Sequence, residues 1–531
     1  DPADYLRQFS TRRSAYLARG EVLGYQGRVD TAWDISLGRL RTNHPAALNL
    51  LTYSAFLGPD VIPQELFAHR LPLPDGGGPA DPFQLTDAIG AAAALSLLRR
   101  TPSGFQLHRL VQEVIRSHLE PDERTRVRDE VVDLLAAAHP GDPADPATWP
   151  GYAALVPHVF ALGAAGDPHP GVRRLVIDTL SYFNTITNTG TVRSVATEIH
   201  DRWRRVLGPD HPDTLTLGAY LTLTLMWDGA ARPAGELAAD SLARAVRTRG
   251  PDDRLTLRLA SYLSCARAWL ADADGARSLA WETLGRLDQA WAPDDPDRLR
   301  LTAYPALALV WTGDPAAAEV AGRAHDRARA VLGADHPTTL MAAADVCLGL
   351  LTSPDADRTR RVALDTLTRA RPVLGEHHLI TLAAASALTM ATLWCGDRDG
   401  ADRVATELLA GADRFLEPDH VVALMAAAAL TAVRADPPGA TPAGPAAADL
   451  PGAVDLRRAV DRARRLLGAD HPITLITAVA VARLLMAGSA PGSATDRSAQ
   501  AGLIAETRGR VTSVFGTGHP LLAALPPLPP S

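Results

Sequence analysis

Seven of the chain's sixteen histidines occupy one place in a recurring eight-residue phrase, G-x-D-H-P-x-T-L: His169, His211, His336, His378, His420, His471 and His519. Imidazoles at a repeating place suggest metal ligation. The spacing does not suit it. Successive copies lie a full repeat apart, and Asp253 and Asp295 stand in for His in two copies with no compensating ligand nearby in sequence. A polar residue that caps the following helix accounts for the pattern instead, and no metal site is expected. Cys265, Cys347 and Cys395 are an odd three inside helical stretches, which favours buried thiols over a disulfide framework. No nucleophile, base and orienting acid come together, and no Gly-rich nucleotide fingerprint follows a strand, so the chain reads as non-enzymatic, with no catalytic residue assigned.

The other residues with chemical content are aromatic. Trp227, Trp269 and Trp311 are each 42 residues apart, and Trp394 takes the same place two repeats later. Tyr220, Tyr262 and Tyr304 form a parallel series, each seven residues before a Trp and therefore on the same helix face. Two readings stand side by side. The rings fill gaps between stacked helices, or they line an inner surface that grips a partner, as Trp, Tyr and Arg do at binding hot spots.

The elements that must carry these residues follow from the period. Copies of the phrase begin at Gly166, Gly208, Gly250, Ala292, Gly333, Gly375, Glu417, Gly468 and Gly516, at intervals of 42, 42, 42, 41, 42, 42, 51 and 48 residues. Such a fixed interval is the mark of stacked units that contact mainly their neighbours. In the copy at Gly208, Arg202, Arg204 and Arg205 precede a helix-stopping glycine, and Pro212 opens the next helix. That helix runs to about Trp227, Asp228-Gly229 breaks it, and a second runs from about Pro233 to Thr248. Each period is thus a helical hairpin with one apolar stripe per helix. The longer last intervals reflect loop insertions at Asp436–Gly452 and Ala487–Asp496. Uncharged runs such as Leu379 to Cys395 read as core helices, because their Ala, Ser and Thr content and their place in the period argue against a membrane span.

The repeat resembles the long, kinesin-light-chain-like tetratricopeptide repeat, a likeness carried by Leu207-Gly208 with His211-Pro212, Leu332-Gly333 with His336-Pro337, and Leu467-Gly468 with His471-Pro472. The resemblance implies an α-solenoid of eight hairpins over residues 166–515, whose concave groove binds an extended protein or peptide. It places Tyr220, Trp227, Tyr262, Trp269, Tyr304, Trp311 and Trp394 at positions facing or bordering that groove.

Residues 31–120 read as three helices and a small hairpin, Leu95 to Arg99 and Phe105 to His108, closed by a further helix from Arg109 to Leu119. The Pro/Gly-rich stretch from Leu71 to Pro82 reads as a loop. This segment resembles the winged-helix module that follows the nucleotide-binding core of signal-transduction NTPases with repeats (STAND proteins, the NB-ARC group). Trp33-Asp34-Ile35-Ser36-Leu37, Ala46-Ala47-Leu48 and Leu107-His108-Arg109-Leu110-Val111-Gln112 carry the likeness. In that family a Met-His-Asp motif sets its His against the β-phosphate of ADP. Leu107-His108-Arg109 holds that place in this chain, so His108 is the nucleotide-sensing candidate; Arg109 in place of Asp departs from the motif. A histidine merely packed beside a strand is the other reading of His108. Trp149-Pro150-Gly151-Tyr152 resembles the lead-in of bacterial proteins that join this module to tetratricopeptide repeats, among them those of FxSxx-COOH peptide systems.

Composition narrows the choice. All 53 basic residues are Arg, and a Walker A phosphate loop needs Lys, so this chain holds no such core. It begins with Asp, which suggests a fragment of a longer protein with an NTPase domain upstream; ADP or ATP is implied only for that parent, and no cofactor for this chain. Residues 1–120 carry 12 Arg and 12 Asp or Glu, which offers no basic excess for nucleic acid and counts against a DNA-binding regulator. A net charge of −7 suits a cytoplasmic protein without membrane affinity. The expected layout is the end of a preceding helical domain (1–30), a winged-helix-like domain (31–120), a linking helical hairpin (121–165), the repeats (166–515) and a Pro-rich tail (516–531). The expected function is a protein- or peptide-binding sensor and regulatory arm of a STAND ATPase, with ligand-driven oligomerisation an option. The alternative is a passive scaffold for peptide-maturation or signalling partners.

Overall fold

The structure, a computed structural model, describes residues 29–68, 82–163, 170–186, 190, 192–270, 272–351, 355–376, 378–415 and scattered positions between 426 and 525. It is mainly α. Two compact units form, Asp1–Tyr182 with Val195–Pro209, and Phe183–Ser194 with Asp210–Ser531.

In the first unit, α1 (Val29–Asn43) and α2 (Pro45–Ser54) precede a four-residue turn of helix, α3 (Glu65–Ala68). Next come α4 (Pro82–Ala94), the antiparallel pair β1 (Leu98–Thr101) and β2 (Gly104–Leu107), and α5 (Arg109–Ser117). Leu40, Leu50, Leu51, Ile62, Phe67, Ile89, Leu97 and Phe105 are buried. Two details differ from the sequence expectation. Helix α4 occupies a stretch that offered no clear signal, and it buries Leu85, Ala88, Ile89 and Ala92, an i, i+3, i+4, i+7 stripe that the run of alanines disguises. The first strand starts at Leu98 rather than Leu95, because Ser96 turns the chain through a left-handed conformation (φ 58°) immediately after the helix. Residues 69–81, most of the expected loop, lie outside the described residues. Helices α6 (Pro121–Ala137) and α7 (Trp149–Gly163) follow, then α8 (Pro170–Thr185) and α9 (Arg193–Val206), of which residues 183–185 and 193–194 are counted with the second unit. The buried His158 ties α7 to the loop after α2: its Nδ1 accepts from Gly58 N at 3.1 Å, and its Nε2 donates to the Val61 carbonyl at 3.1 Å.

The second unit is built of hairpins: α10 (Pro212–Trp227) with α11 (Ala231–Arg249), α12 (Arg254–Trp269) with α13 (Ala273–Ala290), α14 (Pro296–Trp311) with α15 (Ala317–Leu332), α16 (Pro337–Leu350) with α17 (Ala356–Leu374), and α18 (Leu379–Trp394) with α19 (Arg398–Phe415). A late helix, α20, spans Ala494–Phe515. The second helix of each pair buries one stripe, as expected. The first does not: α12 buries residues on every side, because it is wedged, like α14 and α16, between its own partner, the preceding second helix and the first helices on either side.

The recurring phrase is a set of solutions to the problem of ending one helix and starting another. Its glycine sits at φ 90°, ψ 165° (Gly250), φ 91°, ψ 164° (Gly333) and φ 93°, ψ 165° (Gly375), a region that only glycine populates readily. Its third residue bonds to an arginine on the second helix of the same hairpin: Asp210 to Arg244 and Arg247, Asp252 to Arg286, Asp294 to Arg327, Asp335 to Arg369, and Asp470 to Arg510. These pairs are exposed, so they fix register more than they stabilise. Its fourth residue is the N-cap. His211, His336 and His378 accept through Nδ1 from the backbone N two residues on, each at 3.1 Å, and Asp253 and Asp295 accept the same bond through Oδ1 at 2.9 Å. His169, His420, His471 and His519 lie outside the described residues.

Two substitutions check this account by chemical denaturation. His336→Asp should leave stability unchanged while His336→Ala loses about 1 kcal/mol. Gly333→Ala should lose about 1–3 kcal/mol through backbone strain alone, since a Cβ there meets nothing within 4 Å.

Candidate functional site

The first helices of successive hairpins bring their aromatic series side by side. Trp227 and Trp269 meet edge to face with centroids 5.6 Å apart, and Tyr262 and Tyr304 do the same at 4.7 Å. Tyr262 is 1% exposed, Trp269 2%, Tyr304 and Trp311 7%, and Tyr220 8%, whereas Trp227 and Trp394 are half-buried. The rings thus pack against one another as part of the wall. Trp394 stands apart, packed both on the main core and on a second apolar cluster of Leu475, Val479, Ile504, Val511, Leu521 and Leu525.

Charged groups are threaded through this wall. Arg258 lays its guanidinium 5.2 Å from the Tyr220 ring centre and donates Nη1–H to the Tyr220 hydroxyl at 3.1 Å. It also approaches Asp297 at 3.7 Å, as do Arg254 at 3.3 Å and Arg300 at 4.0 Å. The neighbouring phenols, Tyr220 first, hold the Arg258 guanidinium firmly in its charged form, and burial pushes the Tyr262 and Tyr304 hydroxyls up. Arg258 and Arg300 lie 42 residues apart, a spacing that could have disclosed them beside the aromatic series.

Asp345 of α16 is buried among the first helices as well, 3% exposed, and its Oδ2 has no hydrogen-bond partner. Burial raises its carboxyl well above the usual carboxylate range. Cys265 and Cys347 are fully buried, and burial lifts the Cys347 thiol to about 12. Neither thiol is poised for chemistry.

Two contacts within the second unit join parts of the repeat array far apart in sequence. His378, 4% exposed, uses its remaining nitrogen, Nε2, to donate to the Thr185 carbonyl at 2.7 Å, across 193 residues. Val514 of α20 approaches the turn at Gly313, where an added Cβ would lie 3.3 Å from the Val514 carbonyl oxygen.

His108 is exposed at the start of α5, with Nδ1 accepting from Leu110 N at 3.2 Å, which leaves Nε2 pointing away from that cap. It belongs to the first unit and the aromatic series to the second. Among the described residues, no group of three or more His, Cys, Asp or Glu is arranged to hold a metal, and no helix is long and apolar enough to cross a membrane.

Residues 39–124 match a family described as a domain of unknown function (DUF7779), and residues 447–473 match a tetratricopeptide repeat. The structure is similar to that of a Signal Transduction ATPase with Numerous Domains (STAND) protein with a tetratricopeptide repeat sensor from Pyrococcus horikoshii, at 11% identity and a TM-score of 0.50 over 97% of this chain and 70% of that one. It is also similar to a Rap protein complexed with competence and sporulation factor (11%, TM-score 0.41, 66% and 94% covered). A third similar structure is a putative kinesin light chain with nearly identical repeats from Podosopora anserina (13%, TM-score 0.23, 46% and 96% covered). No curated protein matches the sequence. The shared feature is the fold, a tetratricopeptide-type helical repeat array.

Two outcomes follow. Trp269→Ala should lower unfolding stability by about 3–5 kcal/mol, the cost of a buried aromatic, in a urea titration. Burial lowers the His378 imidazole from 6.5 to about 4. The native state therefore favours the neutral ring: the stability it confers is complete above pH 6.5, falls as the unfolded chain takes up protons, and is gone by about pH 4, a difference on the order of 3 kcal/mol. The urea midpoints of wild type and His378→Asn should converge over that window.

Proposed function

We propose that this chain is the protein- or peptide-binding sensor and regulatory arm of a STAND-type signalling ATPase, with the nucleotide-binding core supplied by an upstream domain of the parent protein. The observation that carries this reading is the continuity of the fold likeness over 97% of the chain, through the helix–hairpin–helix segment and the repeats alike. On this reading residues 31–120 form a winged-helix-like relay, residues 121–165 link it to the array, and residues 166–515 are the sensor. A ligand acts by favouring an open form over an ADP-locked one, which requires differential affinity for the two. His108 supports the locked form in this scheme: its ring is exposed at a helix start, where backbone N–H groups and the helix dipole favour a phosphate. The partners are the ligand and the upstream NTPase domain, and the compartment is the cytoplasm. A passive scaffold for peptide maturation, such as an FxSxx-COOH system, is the competing account.

The full-length gene product decides between them. It should co-purify with ADP, and His108→Ala should speed ADP release about tenfold or more, equivalent to about 1.4 kcal/mol or more of lost contact. A full-length product that neither binds nor hydrolyses nucleotide supports the scaffold instead.

A further inference from the structure

The loop between α2 and α3 is gripped by side chains from three other elements of the first unit. From β2, Gln106 Nε2 donates to the Pro59 carbonyl at 2.7 Å. From α5, the buried Gln112 donates to the Ser54 and Leu57 carbonyls at 3.2 and 3.1 Å, and Arg116 donates to that of Ala55. From α7, the buried His158 accepts from Gly58 N and donates to the Val61 carbonyl. An added Cβ on Gly58 would lie 2.7 Å from the Pro157 carbonyl oxygen, so α7 and the loop meet backbone to backbone. His108, Gln112 and Arg116 follow one another at intervals of four, which puts the α5 side chains that hold the loop on the stripe beginning at His108. Gln112 N also donates to the His108 carbonyl at 3.1 Å. A covered loop must have its backbone groups paired, and here both α5 and α7 supply the partners.

We propose that this loop is a relay, through which a shift of α7 moves the start of α5, and that His158 and Gln112 are positioning residues for His108. The relay presupposes the sensor reading above and supplies its last stage, from the linking segment to the nucleotide contact. A displacement of α7 passes to the loop through the His158 bonds and the backbone contact at Gly58. It passes on to α5 through the carbonyls that Gln112 and Arg116 hold. Directional bonds at both steps and close-packed backbone at the first leave little slack to absorb the motion. The two steps act in series. Cutting either one isolates His108 from α7, and cutting both does no more. A loop whose bonds serve stability alone would lose its own order in such variants and leave the His108 cap as it was.

The test is amide hydrogen exchange of the complete 531-residue chain, read at single residues by mass spectrometry. His158→Asn keeps an acceptor for Gly58 N and loses the donor to Val61. It should speed exchange about tenfold or more at Ile62, the loss of one buried hydrogen bond, and by a similar factor at Leu110, whose N–H the His108 ring accepts. Ile89 and Val131 should keep wild-type protection. Gln112→Leu should have the same effect at Leu110, and the double variant should add less than about twofold to either. Faster exchange confined to the loop, or uniform throughout the unit, makes His158 structural only and overturns the relay. So do single effects at Leu110 that multiply in the double variant. In the full-length gene product, His158→Asn should also release ADP about tenfold faster. ADP that is held, and released at the wild-type rate, overturns the relay and leaves the sensor reading standing; a wild-type product that holds no ADP overturns both.

Discussion

The array depends on how the chain passes from one helix to the next. Within eight residues the backbone must stop, reverse and restart, while several carbonyl and N–H groups have lost their helical partners. One side-chain acceptor at the fourth place closes the new helix, a glycine in a conformation closed to other residues ends the old one, and an aspartate bonds to the second helix of the hairpin that follows. Because the same three devices recur, successive hairpins leave the linker in similar geometry, and the first helices come to lie side by side. The ring contacts and the dense burial of α12, α14, α16 and α18 are consequences of that alignment.

This is why so much of the repeat was legible in the sequence. Helix starts and stops are local, and proline, glycine and capping residues announce them within a few positions. The interchange of His with Asp at the fourth place, unhelpful to a metal site, makes sense once acceptance of a single N–H bond is the requirement. Less legible were features set by neighbours distant in the chain. The near-complete burial of the first helices could not be told from a single stripe, because it depends on four surrounding helices. Helix α4 was hidden by its alanines. The role of Arg258 emerged only from the contacts its side chain makes with a neighbouring hairpin.

The wall itself combines two demands. Tyr262, Trp269 and Tyr304 supply apolar area and edge-to-face contacts that hold hairpins together. Among them lie groups that a purely structural core would omit, a guanidinium stacked on a phenol and a carboxyl with an idle oxygen. Aromatic residues in such a setting need not choose between packing and recognition, since the ring that seals one hairpin to the next also forms the side of any space that opens between them.

The bond from His378 to Thr185 changes how this protein must fold. A string of repeats in touch only with its neighbours has almost entirely local contacts, gains stability in increments and tolerates shortening from either end. One bond spanning 193 residues, with Val514 of α20 close to the turn at Gly313, adds closure entropy that is offset only once most of the string is in place. Folding thereby becomes more nearly all-or-none and slower than local repeats alone would make it, and removing the last hairpin subtracts more than one hairpin's share.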